Sequence, residues 1–501
     1  MGIETPTLVT FIIYLVVMLG IGVVSYRLTN DLSDYVLGGR NLTPGVAALS
    51  AGASDMSGWL LLGLPGAIYA SGMNGVWIGI GLSVGAYLNW QFIAKRLRKY
   101  TEVAKDSITI PDYFENRFRD NSKILRVISA IVILFFFTVY TASGLVGGAK
   151  LFQASFGMSY SWALWIGAGV IISYTFLGGF LAVSWTDFIQ GILMFLALIV
   201  VPIVAMQKLG GWSSTVNQVG SMDASYVDIM SGLGILAIIS SLAWGLGYFG
   251  QPHILVRFMG IRSSKDIPKA RLIGMGWMVI SLFGAIFTGF AAIAYFADNP
   301  LQGPEAETAF ILFSQVLFDP WVAGILLAAI LAAIMSTVDS QLLVSSSALA
   351  EDFYKAILRK TASDKELVWV GRFAVVLIAL IAITIASDEN SKVLTLVSYA
   401  WAGFGASFGP VIILSLFWKR ITRNGALAGM IIGAVTVVAW SLLSTPPKGA
   451  EQSAAVIPFS LYEIVPGFIL AFLAIIIVSL MGKEPSEEVQ TEFDSVNGSE
   501  Y

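Results

Sequence analysis

The chain has 501 residues, of which 56% are hydrophobic and only 12% charged, with a mean hydropathy of +0.79. Soluble domains carry about 25% charged residues, so this composition belongs in a bilayer. A net charge of −3 leaves no basic face for nucleic acid. The absence of cysteine excludes disulfides, iron–sulfur clusters and thiolate metal sites, and the single histidine, His253, excludes any site needing two imidazoles.

Windows of about 20 apolar residues predict an all-α, polytopic membrane protein with thirteen spans. They begin near Thr7, Leu42, Gly75, Leu125, Tyr160, Asp187, Ser231, Leu272, Trp321, Glu366, Leu394, Asn424 and Pro458. The first span is full length and no basic region precedes it, so no cleavable signal is expected.

The second span is interrupted by Ala53-Ser54-Asp55-Met56-Ser57-Gly58. A carboxylate at that depth costs about 2.5–3.5 kcal/mol on insertion scales, so it is expected to face a partner or a watery cavity. Backbone can unwind there only where it lines a protein interior or a solvated path. Span six opens on Asp187, after Gly178-Gly179; this carboxylate reads either as a helix N-cap or as part of an inward ion route.

Span seven is interrupted by Trp244-Gly-Leu-Gly-Tyr248-Phe-Gly-Gln-Pro252, where three glycines and a proline weaken the helix. Close helix packing is the alternative reading of those glycines. Spans two and seven lie an odd number of spans apart and so cross the membrane in opposite senses. Paired discontinuous helices of this kind mark a substrate site at the midplane between inverted halves. Five divisions follow: residues 1–41, a first repeat over 42–208 (spans two to six), a second over 209–418 (spans seven to eleven), peripheral spans over 419–483, and an acidic tail over 484–501 that reads as disordered.

In span nine, Ala333, Ser336 and Thr337 stand at i, i+3 and i+4 on one helix face. Small hard cations take oxygen ligands. The freed carbonyls of Ala53 and Met56, the carbonyl of Ala333 and the two hydroxyls would supply five. The competing expectation is that both hydroxyls bond back to their own helix. Asp55 then tunes the local potential, and Asp339, one turn on, is a possible second cation-facing carboxylate. Arg40 reads either as the partner of an acid or as part of the basic bias, and His253 as a structural donor or a proton carrier. The acidic stretch Asp298–Pro320 contains an apolar patch, Ala309–Phe318, that predicts a short helix. With the N-terminus outside, 25 of the 29 Lys and Arg residues fall on the inner side, leaving only Lys150, Lys208, Lys392 and Lys448 outside.

At these residues the chain resembles the sodium/solute symporter family from about Thr5 to Lys483. The likeness is carried by Tyr35-Val-Leu-Gly-Gly-Arg40, Ala48-Leu-Ser-Ala-Gly-Ala-Ser-Asp-Met-Ser-Gly-Trp59 and Gly178-Gly-Phe-Leu-Ala-Val-Ser-Trp-Thr-Asp187. Further matches are Trp244 through His253, Ala332-Ala-Ile-Met-Ser-Thr337 and Trp401-Ala-Gly-Phe-Gly-Ala406. The resemblance implies a LeuT-like core of five plus five inverted helices with alternating access, in a bacterial inner membrane. It implies sodium (Na+) held by Ala53, Met56, Ala333, Ser336 and Thr337, and functionally sensitive charges at Arg40, Asp55 and Asp187. It also implies L-proline as the solute, bound near Ser57, Gly58, Trp59, Tyr140, Trp244, Tyr248 and Pro252, with pantothenate, a sugar or another amino acid as alternatives. Asp339 does not belong to the usual pattern. Trp244 and Tyr248, at i and i+4, would offer aromatic faces to a compact zwitterion, a cation–π contact worth about 0.5–2 kcal/mol. A membrane-embedded enzyme is the rival class, and it lacks a cysteine nucleophile or a histidine pair.

Overall fold

The structure is a computed structural model that describes residues 5–28, 37–175, 179–446 and 455–498. Tyr35, Val36, Gly178, Lys448 and the last residues of the tail lie outside the described residues. The described residues form helices, with one isolated two-residue bridge between Leu42 and Ile261. Ten helices among them are long and apolar enough to cross a bilayer. The predicted fifth and seventh spans coincide with shorter apolar helices, and the second with two half-helices.

In chain order, α1 is Thr5–Leu28, and the second span divides into α2 (Pro44–Asp55) and α3 (Leu64–Ser71). Helix α4 (Val76–Leu88) continues through a wide turn into α5 (Ala94–Val103), followed by α6 (Ile110–Arg117), α7 (Ile124–Phe156) and α8 (Tyr160–Thr175). Then come α9 (Phe180–Lys208), α10 (Trp212–Met222), α11 (Ile235–Leu242), α12 (Pro252–Gly260), α13 (Ile267–Tyr295) and α14 (Ala309–Leu317). The last are α15 (Pro320–Ser347), α16 (Asp364–Ala386), α17 (Val393–Phe417), α18 (Arg423–Ser444), α19 (Ile464–Met481) and α20 (Glu487–Gly498). Helices α15 and α17 are almost wholly enclosed, while α1, α18 and α19 keep most of their surface outward. Helix α15 packs on α1, α2, α7 and α9, so the Ser336–Thr337 face lies at the centre of the bundle.

Helix α14 occupies the apolar patch read from the sequence. Two other expectations are corrected. Helix α9 starts at Phe180, after Gly179, so Asp187 stands inside the helix with no exposure and cannot be its N-cap. The acidic tail is ordered over Glu487–Gly498. Its Val489, Phe493 and Val496 form a buried stripe at helical spacing, and Glu492 and Asp494 each lie 2.5 Å from Arg119 and Lys419 respectively. An acidic, amphipathic helix gains order here because it meets the basic end of the bundle, a partner that tail composition does not reveal.

A buried ion pair stitches the opposite end. Lys150 Nζ of α7 lies 2.6 Å from Glu307, whose carboxylate also accepts the backbone N–H groups of Val393 and Leu394 at the start of α17. A carboxylate against a helix N-terminus is favourably placed.

Span seven owes its shape to close backbone approach. From Ala243 to Gly250 the chain winds as a tight 3₁₀ segment, Gln251 is extended, and Pro252 opens α12 where its missing N–H costs nothing. A Cβ on Gly250 would land on the carbonyl oxygen of Phe404, and one on Gly247 on the indole of Trp401. Gly250→Ala is therefore expected to destabilise the fold by about 1–3 kcal/mol, because backbone cannot give way. Thermal unfolding of the purified variant in detergent checks this, and an unchanged midpoint would refute the packing argument.

Candidate functional site

Helix α2 ends because Met56 leaves helical geometry (φ −80°, ψ 74°), and the chain resumes at Gly58 into a wide turn over Trp59–Gly63. The break is well partnered. The Asp55 carbonyl accepts from the Ser57 N–H at 2.9 Å and from the Trp59 indole at 3.0 Å, and the Tyr140 hydroxyl lies 3.4 Å away. A Cβ on Gly58 would press Ile334 of α15 at 3.0 Å, so a side chain there would push the two helices apart.

Tyr248 joins the two interruptions. Its hydroxyl donates to Asp55 Oδ2 at 2.6 Å, and its carbonyl accepts from Asn89 Nδ2 at 3.0 Å. Among the described residues Asp55 Oδ1 has no hydrogen-bond partner, and the residue is 2% exposed. A small void beside this pair is lined by Asp55, Met56, Asn89, Trp90, Tyr248 and Met278. The Trp59 and Trp244 rings approach with centroids 6.4 Å apart, and Tyr248 meets Trp401 edge-on at 5.0 Å. Ser57, Gly58, Trp59, Tyr140, Trp244 and Tyr248 thus gather around the paired breaks. Pro252 does not join them: it lines a separate cavity with Ile110, Val256 and Asp352.

The oxygen set read from span nine also converges. Ser336 Oγ lies 2.8 Å from the Ala53 carbonyl and 3.1 Å from that of Ala333, and Thr337 Oγ1 lies 3.3 Å from each. The hydroxyls thus bond back to their own helix, as the competing expectation had it, and also reach across to the carbonyl of the broken one. Met56 is fully buried at the same break.

At the basic end the two broken spans meet again. The Leu42 N–H donates to the Gly260 carbonyl and the Arg262 N–H to the Leu42 carbonyl, at 3.1 and 3.0 Å. The start of α2 thus lies beside the end of α12, and the two run in opposite senses. Arg40 pairs with Asp106 at 2.8 Å and also donates to the carbonyls of Met259 and Ser107, so it ties α12 to the turn after α5.

Arg257 is one of the 25 basic residues that the charge bias assigns to the inner-side loops, yet it is wholly buried on α12. It donates to Asp187 Oδ2 at 3.2 Å, to Ser340 Oγ at 2.6 Å and to Ser50 Oγ at 3.1 Å. The signal was its place inside the apolar run Ile254–Met259, where a solvated loop base would not sit. Asn89 and Gln251, which cap the Tyr248 and Gly247 carbonyls, carried no signal. Among the described residues His253 meets no hydrogen-bond partner at either ring nitrogen, and it packs edge-on against Phe137 and Tyr140. Asp339 is fully buried.

Removing one member of a buried, charge-assisted pair strands the other. Tyr248→Phe is expected to lower stability by about 1–3 kcal/mol, and Tyr248→Phe with Asp55→Leu by less than the sum of the single changes. A double-mutant cycle of thermal or denaturant unfolding reads this coupling; strict additivity would deny that the bond joins the two breaks.

The comparisons agree with this architecture. A family profile described as the sodium:solute symporter family matches residues 35–433. The chain is 55% identical to the sodium/proline symporter of Escherichia coli (strain K12) over 497 residues, 98% of this chain and 96% of that one. It is 54% identical to the high-affinity proline transporter PutP of Bacillus subtilis (strain 168), covering 95% and 98% of the two chains. Among solved structures, a Na+-coupled sialic acid symporter in a substrate-bound outward-open state aligns with a TM-score of 0.79 at 20% identity, over 97% of this chain and 100% of that one. MhsT in complex with L-phenylalanine aligns at 0.55 and 14% identity, over 87% and 97%. These two share the fold. The chain is a multi-pass membrane protein and belongs to the sodium:solute symporter family.

Proposed function

We propose that this chain is a secondary active transporter, and not an enzyme, importing L-proline coupled to sodium entry by alternating access. The observation that carries the reading is the convergence of Ser336 and Thr337 on the Ala53 and Ala333 carbonyls, at the point where α2 stops. Sodium is bound there by those four groups together with the Met56 carbonyl. Neutral oxygens and the bare end of a half-helix suit a monovalent cation that must bind and leave again.

The solute lies beside the ion. Its carboxylate is met by the Ser57 hydroxyl and the Gly58 N–H at the break, and its ring by Trp59, Tyr140, Trp244 and Tyr248. Pro252 positions the break of span seven and stands outside this contact set. Sodium at Ala53 fixes the last turn of α2, and with it Asp55 and Tyr248, so ion binding completes the solute pocket. Reciprocity requires the solute to tighten sodium binding by the same factor. Each sodium crossing inward gains about 2.3 kcal/mol per 100 mV, to which its concentration gradient adds.

Residues 42–208 and 209–418 act as the inverted repeats, with 1–41 and 419–483 peripheral to them. The basic end faces the cytoplasm of a bacterial cell and the N-terminus faces outward; the tail from 484 onward is cytoplasmic. Relatives about 55% identical over nearly the full chain and named for proline support this solute over pantothenate or a sugar. The sialic acid symporter shares the fold at 20% identity.

Uptake of labelled proline into proteoliposomes, compared in sodium and potassium media, tests the reading; equal uptake in both media would overturn it. Ser336→Ala or Thr337→Ala is expected to raise the sodium concentration for half-maximal uptake by tenfold or more, about 1.4 kcal/mol of lost ion binding. An unchanged value would remove these hydroxyls from the ion site. Trp244→Ala should raise the proline KM while leaving the sodium requirement of the saturated carrier near that of the parent. A normal proline KM would place the solute elsewhere.

A further inference from the structure

The acidic helix α20 lies across a seam at the basic end of the bundle, where α5 and α6 meet the last turn of α17. Three contacts close this seam. Arg96 of α5 sits over the Phe417 ring at 4.1 Å, Arg117 Nε of α6 donates to the Ser415 carbonyl at 3.2 Å, and the Tyr113 and Ser415 hydroxyls lie 3.1 Å apart. Phe493 of α20 covers the line, with its ring centre 5.5 Å from the Arg117 guanidinium, which has no exposure. Helices α5 and α6 belong to the first proposed repeat and α17 to the second.

The covering helix is pinned from both sides. On the α6 side, Arg119 lies 3.0 Å from Glu488 and 2.5 Å from Glu492. On the α17 side, Lys419 lies 2.5 Å from Asp494, and Arg420 lies 3.5 Å from Glu484. Between residues 484 and 498 the chain has five acids and no lysine or arginine, so its charge wholly complements the surface beneath it. A helix of 12 residues is marginal alone in water, so undocking and unwinding are one event. The Glu484, Glu488 and Asp494 side chains are more than half exposed, which leaves their pairs open to salt. Screening shortens the reach of such charges from about 10 Å at 0.1 M ionic strength to about 3 Å at 1 M.

We propose that α20 is a reversible brake. Docked, it braces α5 and α6 against α17 and slows the opening of the carrier on this side; rising ionic strength releases it and speeds turnover. The proposal rests on the transport reading and adds regulation by a segment remote from the proposed ion and solute ligands. Those ligands are untouched by the release, so the effect falls on the maximal rate and not on the proline KM.

The test measures initial uptake of labelled proline by the full-length chain in proteoliposomes, at a fixed sodium gradient and zero voltage. Potassium chloride, equal on both sides, sets the ionic strength from about 0.1 to about 0.5 M, with sucrose matching osmolality. The parent's maximal rate is expected to rise about threefold or more over this range, with its proline KM unchanged. Glu488→Gln with Glu492→Gln should be fast already at the low end and respond little to salt. Arg119→Glu should do the same, and combining it with Glu492→Arg should restore both the slow rate and the response. Amide hydrogen exchange over Val489–Val496 should quicken wherever the rate rises, and protection that persists there would overturn the proposal. A tail that only adds stability would lower the thermal midpoint of the neutralised variant and leave its rate at low ionic strength equal to the parent's; that result also overturns it. A parent that takes up proline at a rate indifferent to ionic strength overturns the brake and leaves the transport reading standing. A parent that takes up none in any medium overturns the transport reading, and the brake with it.

Discussion

The bond between Tyr248 and Asp55 is the constraint on which the rest of the centre depends. Each broken span exposes peptide groups that hydrocarbon cannot satisfy, so each must be enclosed by protein. The 2.6 Å contact places the two breaks face to face, and each then supplies part of the other's enclosure. Trp59 returns to the Asp55 carbonyl, Asn89 caps the Tyr248 carbonyl, and Trp401 donates to the Trp244 carbonyl. Separated, the two segments would revert toward continuous helix or carry unpaired groups costing about 1–3 kcal/mol each.

Toward the basic end the same pair of spans is held by charge. Arg40 and Arg257 act on opposite sides of α12. Arg257 reaches inward to Asp187, while Arg40 reaches the Met259 carbonyl and the exposed edge at Asp106. Buried ion pairs add little net stability, since desolvation offsets most of their attraction. Their effect is to define one arrangement of α12 against α2, α9 and α15. An arrangement fixed by a few directional bonds can be exchanged for another as a unit, as a carrier that opens alternately to two sides requires.

The legible part of this molecule was its hydropathy and its breakers. Apolar windows are long, so span positions follow from sequence; Asp55 and the Gly-rich run of span seven are expensive at depth, so both interruptions are visible as violations. The spacing of Ser336 and Thr337 gave their shared face, though only the fold puts that face against Ala53. What escaped were pairings across distant sequence. Asp187 looked like a cap because Gly178-Gly179 precedes it, and Arg257 looked like a loop base because loop bases follow it. Each is explained by the other, and 70 residues separate them. The tail's acidic composition concealed the stripe of Val489, Phe493 and Val496, whose use depends on a basic surface to which Arg119 and Lys419 come from two separate loops. Local sequence reports what a segment costs to bury; it does not report which remote group offsets that cost.

Placing the proposed ion and solute ligands on one short segment explains how coupling arises without long-range machinery. Ala53, whose carbonyl faces Ser336 and Thr337, and Asp55, whose carboxyl holds Tyr248, are two residues apart at the end of one half-helix. A cation drawing on the Ala53 carbonyl fixes the last turn of α2, and that turn sets where Asp55 points. The aromatic wall of span seven follows through Tyr248, and the indole of Trp59 through the Asp55 carbonyl. Losing the ion frees the turn and loosens both walls together. The coupling free energy is then limited by what one helical turn gains on becoming ordered, which makes the break itself, more than any single ligand, the element that two sites share.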